Sequence, residues 1–338
     1  MTKLLHSIRY QLEPEPPYDF ALTVHKPAGW SLFTPYERFE AGTLWTATHL
    51  RGVLTGIRLA SAGTTSRPRI AVRLFFAQRP SRGDAEAMKQ QLRAALGIDD
   101  SLAEFYELAR KDRILSHAIR HLRGMHDTSP TTLFSEACLA ILLQMAPLAR
   151  SNAMMSAFIA CYGPTAEFDG KKIRAWPTAA RIARLRPREL ATSCKVGYRA
   201  KLLIALAKRL ADGTFPSIES SGSARARSNA KRCGDPIEQL RAMPPAEARQ
   251  LLMQLPGIGD YSADIINPHG GFPIDAWSVE VFSQLFYGKV PARNRDSIEK
   301  VKREGLRRWG RWAWLAFFYV VQDLRRLSEA LGVELRLE

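Results

Sequence analysis

LPGIGDYSADIINPHGGFPIDAW, Leu255–Trp277, sets four glycines and three prolines around an apolar tract and then delivers one carboxylate, Asp275, into a hydrophobic run. Pro256, Gly257, Ile258 and Gly259 lie between two short helical patterns, so the chain must reverse tightly where its backbone is least hindered. Glycine admits left-handed torsions and leaves amide N–H groups uncovered. A helix opening directly after the turn offers its unsatisfied N-terminal amides to a phosphate oxygen. Leu255 and Ile258 would pin such a hairpin to the body of the protein. This is the pattern of a helix-hairpin-helix, a sequence-independent grip on a DNA backbone. An ordinary corner between two helices also uses Pro-Gly-x-Gly, and Asp275, ahead of the helical pattern AWSVEVF, is equally placed to be a structural N-cap.

The totals point the same way. Across 338 residues, 49 Lys and Arg face 33 acids, a formal charge of +16. A polyanionic partner is favoured, nucleic acid first, although a basic average also describes a merely solvated surface. The excess is concentrated: Lys171–Arg232 carries 16 Lys or Arg against Glu189, Asp212 and Glu219. Cys138, Cys161, Cys194 and Cys233 form no CxxC pair, so they read as thiols of a reducing compartment, not a zinc site or disulfide framework. No apolar run approaches the length of a membrane helix, and MTKLLHSIRYQLEPEPP lacks a signal h-region. The expectation is a soluble intracellular protein, cytoplasmic or nuclear, acting without a membrane.

Hydrophobic alternation predicts strands in YDFALTVH from Tyr18, TLWTATHL from Thr43, VLTGIRLAS from Val53 and RIAVRLFFA from Arg69, with a helix over Asp84–Leu96. From about Ser101 the period is helical to the end, starting with SPTTLFSEACLAILLQMAP, where Ser129 reads as a cap and Pro130 as the first helical residue. The fold class expected is α+β: an antiparallel β-rich lobe over residues 1–110 and an all-α body over 111–338. A polar, small-residue loop at 217–235 interrupts that body.

The succession of LPGIG, a helix of about two turns, and an Asp in an xPxD turn opening a further helix resembles the helix-hairpin-helix DNA glycosylase superfamily. VGYRAKLLIALAKRL from Val196 and LFSEACLAILLQMAPLAR are similar to segments of its AlkA-type 3-methyladenine and 8-oxoguanine branches, which also carry a strand-rich N-terminal lobe. The resemblance implies Asp275 as the catalytic acid, stabilising positive charge on the sugar while the damaged base leaves. It places Pro256, Gly257, Ile258 and Gly259 on the DNA backbone. It also implies a monovalent cation on the backbone carbonyls of Met253, Leu255 and Ile258. Gln144 and Met145 fall where the family's wedge enters the stack, and equally read as buried residues before a proline. Tyr261, Trp314 and Phe318 would line the base pocket, though each also reads as core packing. Bifunctional members carry a lysine where this chain has Tyr261, which implies a monofunctional enzyme. No cysteine follows Cys233, so no iron-sulfur cluster is expected. The expected partner is duplex DNA bearing a damaged base, an alkylated purine rather than 8-oxoguanine, met by a monomer. An 8-oxoguanine glycosylase and a non-catalytic DNA- or abasic-site-binding module are the alternatives. His269 reads either as facing DNA or as a solvated loop histidine.

Overall fold

The computed structural model describes all residues except 30–33, 130, 147, 213–214, 216–234, 268–270, 334 and 336–338. The expected His269 position and nearly all of the 217–235 loop, Cys233 included, lie outside the described residues. The chain begins with β1 (Thr2–Lys3) and β2 (His6–Leu12), a short helix α1 (Phe20–Val24), then β3 (Arg38–Glu40), β4 (Thr43–Leu50), β5 (Val53–Ser61) and β6 (Ile70–Phe76). Strands β2–β6 form one antiparallel sheet in the order β2-β6-β5-β4-β3. Helix α2 (Arg82–Ala95), capped by Ser81, buries Met88, Leu92 and Ala95 against one face of this sheet with Leu44, Ile57 and Leu59.

Two sequence expectations change here. YDFALTVH holds a helix, not a strand, because the Asp19 carboxylate accepts the Leu22 N–H at 2.9 Å and caps the turn. The body is not all-α: β7 (Thr165–Phe168) and β8 (Lys171–Arg174) form a hairpin around Asp169-Gly170, both at positive φ, and β1 pairs parallel to β7. The periodicity missed it because each strand is four residues long. The hairpin covers the second face of the large sheet. Phe168 lies so close to Gly56 that any Cβ there would stand 2.5 Å from its ring.

The remaining elements are helical: α3 (Ala103–Lys111), α4 (Leu115–His121), α5 (Leu133–Leu143), α6 (Leu148–Tyr162), α7 (Ala179–Ile182), α8 (Pro187–Cys194), α9 (Arg199–Ala211), α10 (Pro236–Ala242), α11 (Pro245–Leu252), α12 (Asp260–Ile266), α13 (Ser278–Tyr287), α14 (Arg295–Trp309), α15 (Ala313–Gln322) and α16 (Leu324–Leu331). Helix α5 starts later than the Ser129-Pro130 reading. Thr132 is its cap, accepting the Ser135 N–H at 3.2 Å, and the Asp235 carboxylate takes the Leu133 N–H at 2.7 Å. The helices divide into two cores. One gathers α5–α12 and Trp314 of α15; the other gathers α3, α4, α13, α14, the rest of α15 and α16. Residues 102–109 therefore pack with the C-terminal helices, and α3 runs through the 110/111 boundary expected from the sequence. The chain crosses between the cores from Ile266 to Phe272, immediately before Asp275. Such a junction between packed units is where ligand sites commonly form.

Candidate active site

The hairpin is built by α11, the turn Met253–Gly259 and α12. Leu255 and Ile258 are buried, and the Ile258 N–H donates to the Leu255 carbonyl at 3.1 Å, closing the turn. Gly257 has φ +82°, a torsion that favours glycine, and a Cβ there would sit a tight 3.1 Å from both Ile141 and Leu202. Gly259 is different. Its φ of −106° is open to any residue, and nothing lies within 4 Å of a would-be Cβ. What glycine leaves there is bare backbone at the mouth of α12, while Pro256 stays half-exposed at the turn.

Gln144 and Met145 part company. The Gln144 carboxamide donates to the Gly257 carbonyl at 2.7 Å and to Ser262 Oγ at 2.8 Å, so it ties α5 to the hairpin and is occupied. Met145, one residue on, has φ +47° and is 81% exposed. A left-handed, non-glycine residue carrying an apolar side chain into solvent is costly on both counts. Arg199, buried, holds this segment by donating to the Ile141 carbonyl at 3.2 Å and to the Gln144 carbonyl. Sequence reasoning marked the GYRAK stretch but not the role of its arginine, whose signal was only a cation in an apolar helix.

Asp275 caps α13. Its Oδ1 accepts the Trp277 N–H at 3.2 Å, the Ser278 N–H at 2.8 Å and the Ser278 hydroxyl at 2.7 Å, while its own N–H donates to Ser278 Oγ at 2.8 Å. All of this falls on one oxygen. Among the described residues Oδ2 has no hydrogen-bond partner, so the cap orients the carboxylate and leaves its other oxygen available. Asp275 is half-buried. Tyr261 lies close by, half-buried on the first core; burial first, and then the Asp275 carboxylate, raise its phenol well above the usual range.

Trp314 and Phe318 sit one turn apart on α15 with near-parallel rings, 6.5 Å between centroids and 15° between planes. Both are buried. The Trp314 indole N–H donates to Asp127 Oδ2 at 2.7 Å, and the Lys26 ammonium lies 5.4 Å from the Phe318 centroid. Burial lowers the Lys26 amine to about 8, against the pull of Asp127, and raises the Asp127 carboxyl. Trp314 lines a cleft of about 740 Å³ with His126, Asp127, Thr128, Arg241 and Trp312, a cleft that neither Asp275 nor Tyr261 lines. The structure thus brings together Asp275 with Tyr261, and Trp314 with Phe318. Trp314 and Tyr261 share the first core, while Phe318 packs in the second.

For the cation at the hairpin the donors are backbone oxygens. The Leu255 carbonyl accepts one hydrogen bond, from Ile258, and those of Met253 and Ile258 accept none among the described residues, so lone pairs remain on all three. This fits a weakly bound monovalent ion. No group of His, Cys, Asp or Glu able to hold a metal occurs among the described residues, and Cys138, Cys161 and Cys194 are free thiols.

A helical body with an N-terminal antiparallel sheet is a fold that solved DNA glycosylases share. The chain is 25% identical over 228 residues to the DNA-3-methyladenine glycosylase of Bacillus subtilis (strain 168), covering 66% of this chain and 67% of that protein. Its fold matches the 3-methyladenine DNA-glycosylase from Archaeoglobus fulgidus with a TM-score of 0.70 at 21% identity, over 93% of this chain and 98% of the other. It also matches the Clostridium acetobutylicum 8-oxoguanine glycosylase/lyase in complex with double-stranded DNA, with a TM-score of 0.66 at 15% identity, over 95% and 98%. No family model matches the chain. The resemblance read from the hairpin is borne out: these relatives are what the AlkA-type and 8-oxoguanine branches of the superfamily supply.

Proposed function

We propose that the protein is a monofunctional DNA glycosylase that hydrolyses the N-glycosidic bond of a damaged base, with an alkylated purine as its preferred substrate. The observation that carries this is the half-buried Asp275 carboxylate, anchored through Oδ1 by two N–H groups and a hydroxyl with Oδ2 unengaged. Bond breaking develops positive charge at the sugar, and a carboxylate preset beside it stabilises that charge without reorganising at the moment of reaction. The bond is inaccessible in a stacked duplex, so the nucleotide must be extruded. The hairpin amides around Gly259 would fix the strand by its phosphate. The carbonyls of Met253, Leu255 and Ile258 would add a monovalent cation, whose charge offsets that of the phosphate.

Tyr261 at the lysine position offers no amine there to form a Schiff base, which supports the monofunctional reading. An alkylated purine is favoured because the sequence match is to a 3-methyladenine glycosylase. The test is a panel of duplex oligonucleotides carrying single lesions, incubated with enzyme, then treated with alkali to reveal abasic sites or with borohydride to trap adducts. Alkali-dependent cleavage at an alkylated purine with no trapped adduct is expected. Excision of 8-oxoguanine alone reassigns the substrate, a trapped adduct reassigns the mechanism, and binding without release on every duplex leaves a non-catalytic DNA-binding module.

A further inference from the structure

Large apolar side chains left in water are unevenly placed on this molecule. Of the eight that are exposed among the described residues, four border the hairpin and Asp275: Met145, Tyr198 at 58%, Met253 at 42% and Trp277 at 41%. Scattered exposed apolar residues need no explanation, but a group around one charged site does. Tyr198 and Met253 are engaged there, the former beneath the Arg199 guanidinium at 4.7 Å and the latter by Arg249 at 3.1 Å. Trp277 belongs to no buried cluster and pairs with no described ring.

Its position is nonetheless fixed. The Trp277 backbone N–H donates to Asp275 Oδ1, and Ser278 clamps the same oxygen, so the backbone that carries the indole is held two residues from the carboxylate that would meet the sugar. An indole is about as broad as a base, and its exposure puts it on the rim of the site and not inside it. The DNA at that rim is the strand still stacked beside the extruded nucleotide, where extrusion has bared one face of a base. We infer that Trp277 stacks on the base flanking the extruded nucleotide, in the damaged strand, and so recognises the gap and not the lesion.

The partner's charge fits: Lys195 and Lys201, flanking the Tyr198 turn, are exposed and in no described salt bridge, and the chain carries +16 overall. Base-aromatic stacking is sequence-tolerant and changes affinity by about tenfold or more when the ring is removed. The inference rests on the reading that Asp275 serves an extruded nucleotide.

Binding of the full chain to four duplexes tests it: undamaged, with one tetrahydrofuran abasic-site analogue, and with that analogue plus a second one on either flank in turn. Wild type should prefer the single-analogue duplex to the undamaged one; no preference would remove the extrusion reading itself, and this inference with it. Trp277→Ala should bind the single-analogue duplex about tenfold more weakly and the undamaged duplex within about twofold of wild type. On one of the two double-analogue duplexes variant and wild type should converge, because the stacking partner is gone. Trp277→Phe should recover most of the lost affinity. A Trp277→Ala variant that keeps the preference, or that loses equally on all duplexes, overturns the inference while leaving the extrusion reading intact. A dimer of the DNA-free protein abolished by Trp277→Ala would assign the ring to a second copy of the chain, with the same consequence.

Discussion

Asp275 serves as a helix cap and as the proposed acid, and the two roles use different oxygens. Asparagine keeps a carbonyl oxygen in the Oδ1 position, so Asp275→Asn should preserve the bonds to Trp277 and Ser278 and remove the charge alone. Base release is then expected to fall roughly a hundredfold or more, with DNA affinity and melting temperature little changed. Single-turnover excision beside a binding isotherm separates these quantities; wild-type excision by the Asn variant would leave Asp275 a cap alone. A second carboxylate, Glu136 on α5, follows a different logic. Burial pushes its pKa up to about 8, against the Arg241 guanidinium, and its Oε2 has no hydrogen-bond partner. The folded state holds this proton between the ordinary carboxylate range and pH 8, so the stability it protects is complete at pH 4.5 and is lost as pH rises through 8. Glu136→Gln carries no such titration. Thermal melts should show the variant more stable than wild type above pH 8, by on the order of 1–4 kcal/mol, and the two similar near pH 5. Parallel curves across that range would contradict the burial argument.

At the scale of elements, the α5–α6 turn and the hairpin form one assembly, with Gln144 as its bolt and Met145 as its point. Gln144→Ala removes two hydrogen bonds between α5 and the hairpin, so melting temperature should fall, by about 1–3 kcal/mol in stability, with activity lost on every substrate. Met145→Ala removes a side chain that touches mainly solvent. It should leave stability unchanged and lower excision on fully paired duplex while sparing a mismatched one, since unstacking is least costly there. Identical behaviour of the two variants would dissolve the distinction. This division was only half legible in the sequence. The hairpin could be read because Pro256-Gly257-Ile258-Gly259 is punctuation whose cause is local, and Asp275 because Pro273 and the following helix frame it. Arg199, Ser262 and the occupied state of Gln144 could not, because their partners lie 55 to 118 residues away in the chain. The β7–β8 hairpin escaped for a related reason: β1, its partner, belongs to the other end of the sequence. Trp314 and Phe318 show the limit of reading by helix face, since the periodicity marks a buried side and not what covers it.

Across the whole molecule the charge is +16, and part of that excess lies along the helices α7–α9. Arg184, Arg186, Arg188, Lys195, Lys201 and Lys208, along α7–α9, are all exposed and take part in no salt bridge among the described residues. Other cations are paired with acids: Arg249 and Lys302 with the buried Asp264, Arg307 and Arg308 with Glu304. The start of α9, which carries Lys201, lies beside the hairpin, since Leu202 closes on Gly257 and Arg199 holds the Gln144 carbonyl. Unpaired surface cations gain little from one another and release counterions when they meet phosphate. Affinity for undamaged duplex should therefore fall with a log-log salt slope of about −0.9 for each phosphate neutralised. Arg188→Gln and Lys195→Gln should each flatten that slope by roughly 1 if the residue meets a phosphate, weakening all sequences alike. Arg307→Gln, whose charge already faces Glu304, should leave it unchanged. A slope insensitive to the first pair, or equally sensitive to all three, would move the DNA track away from α8 and its turn.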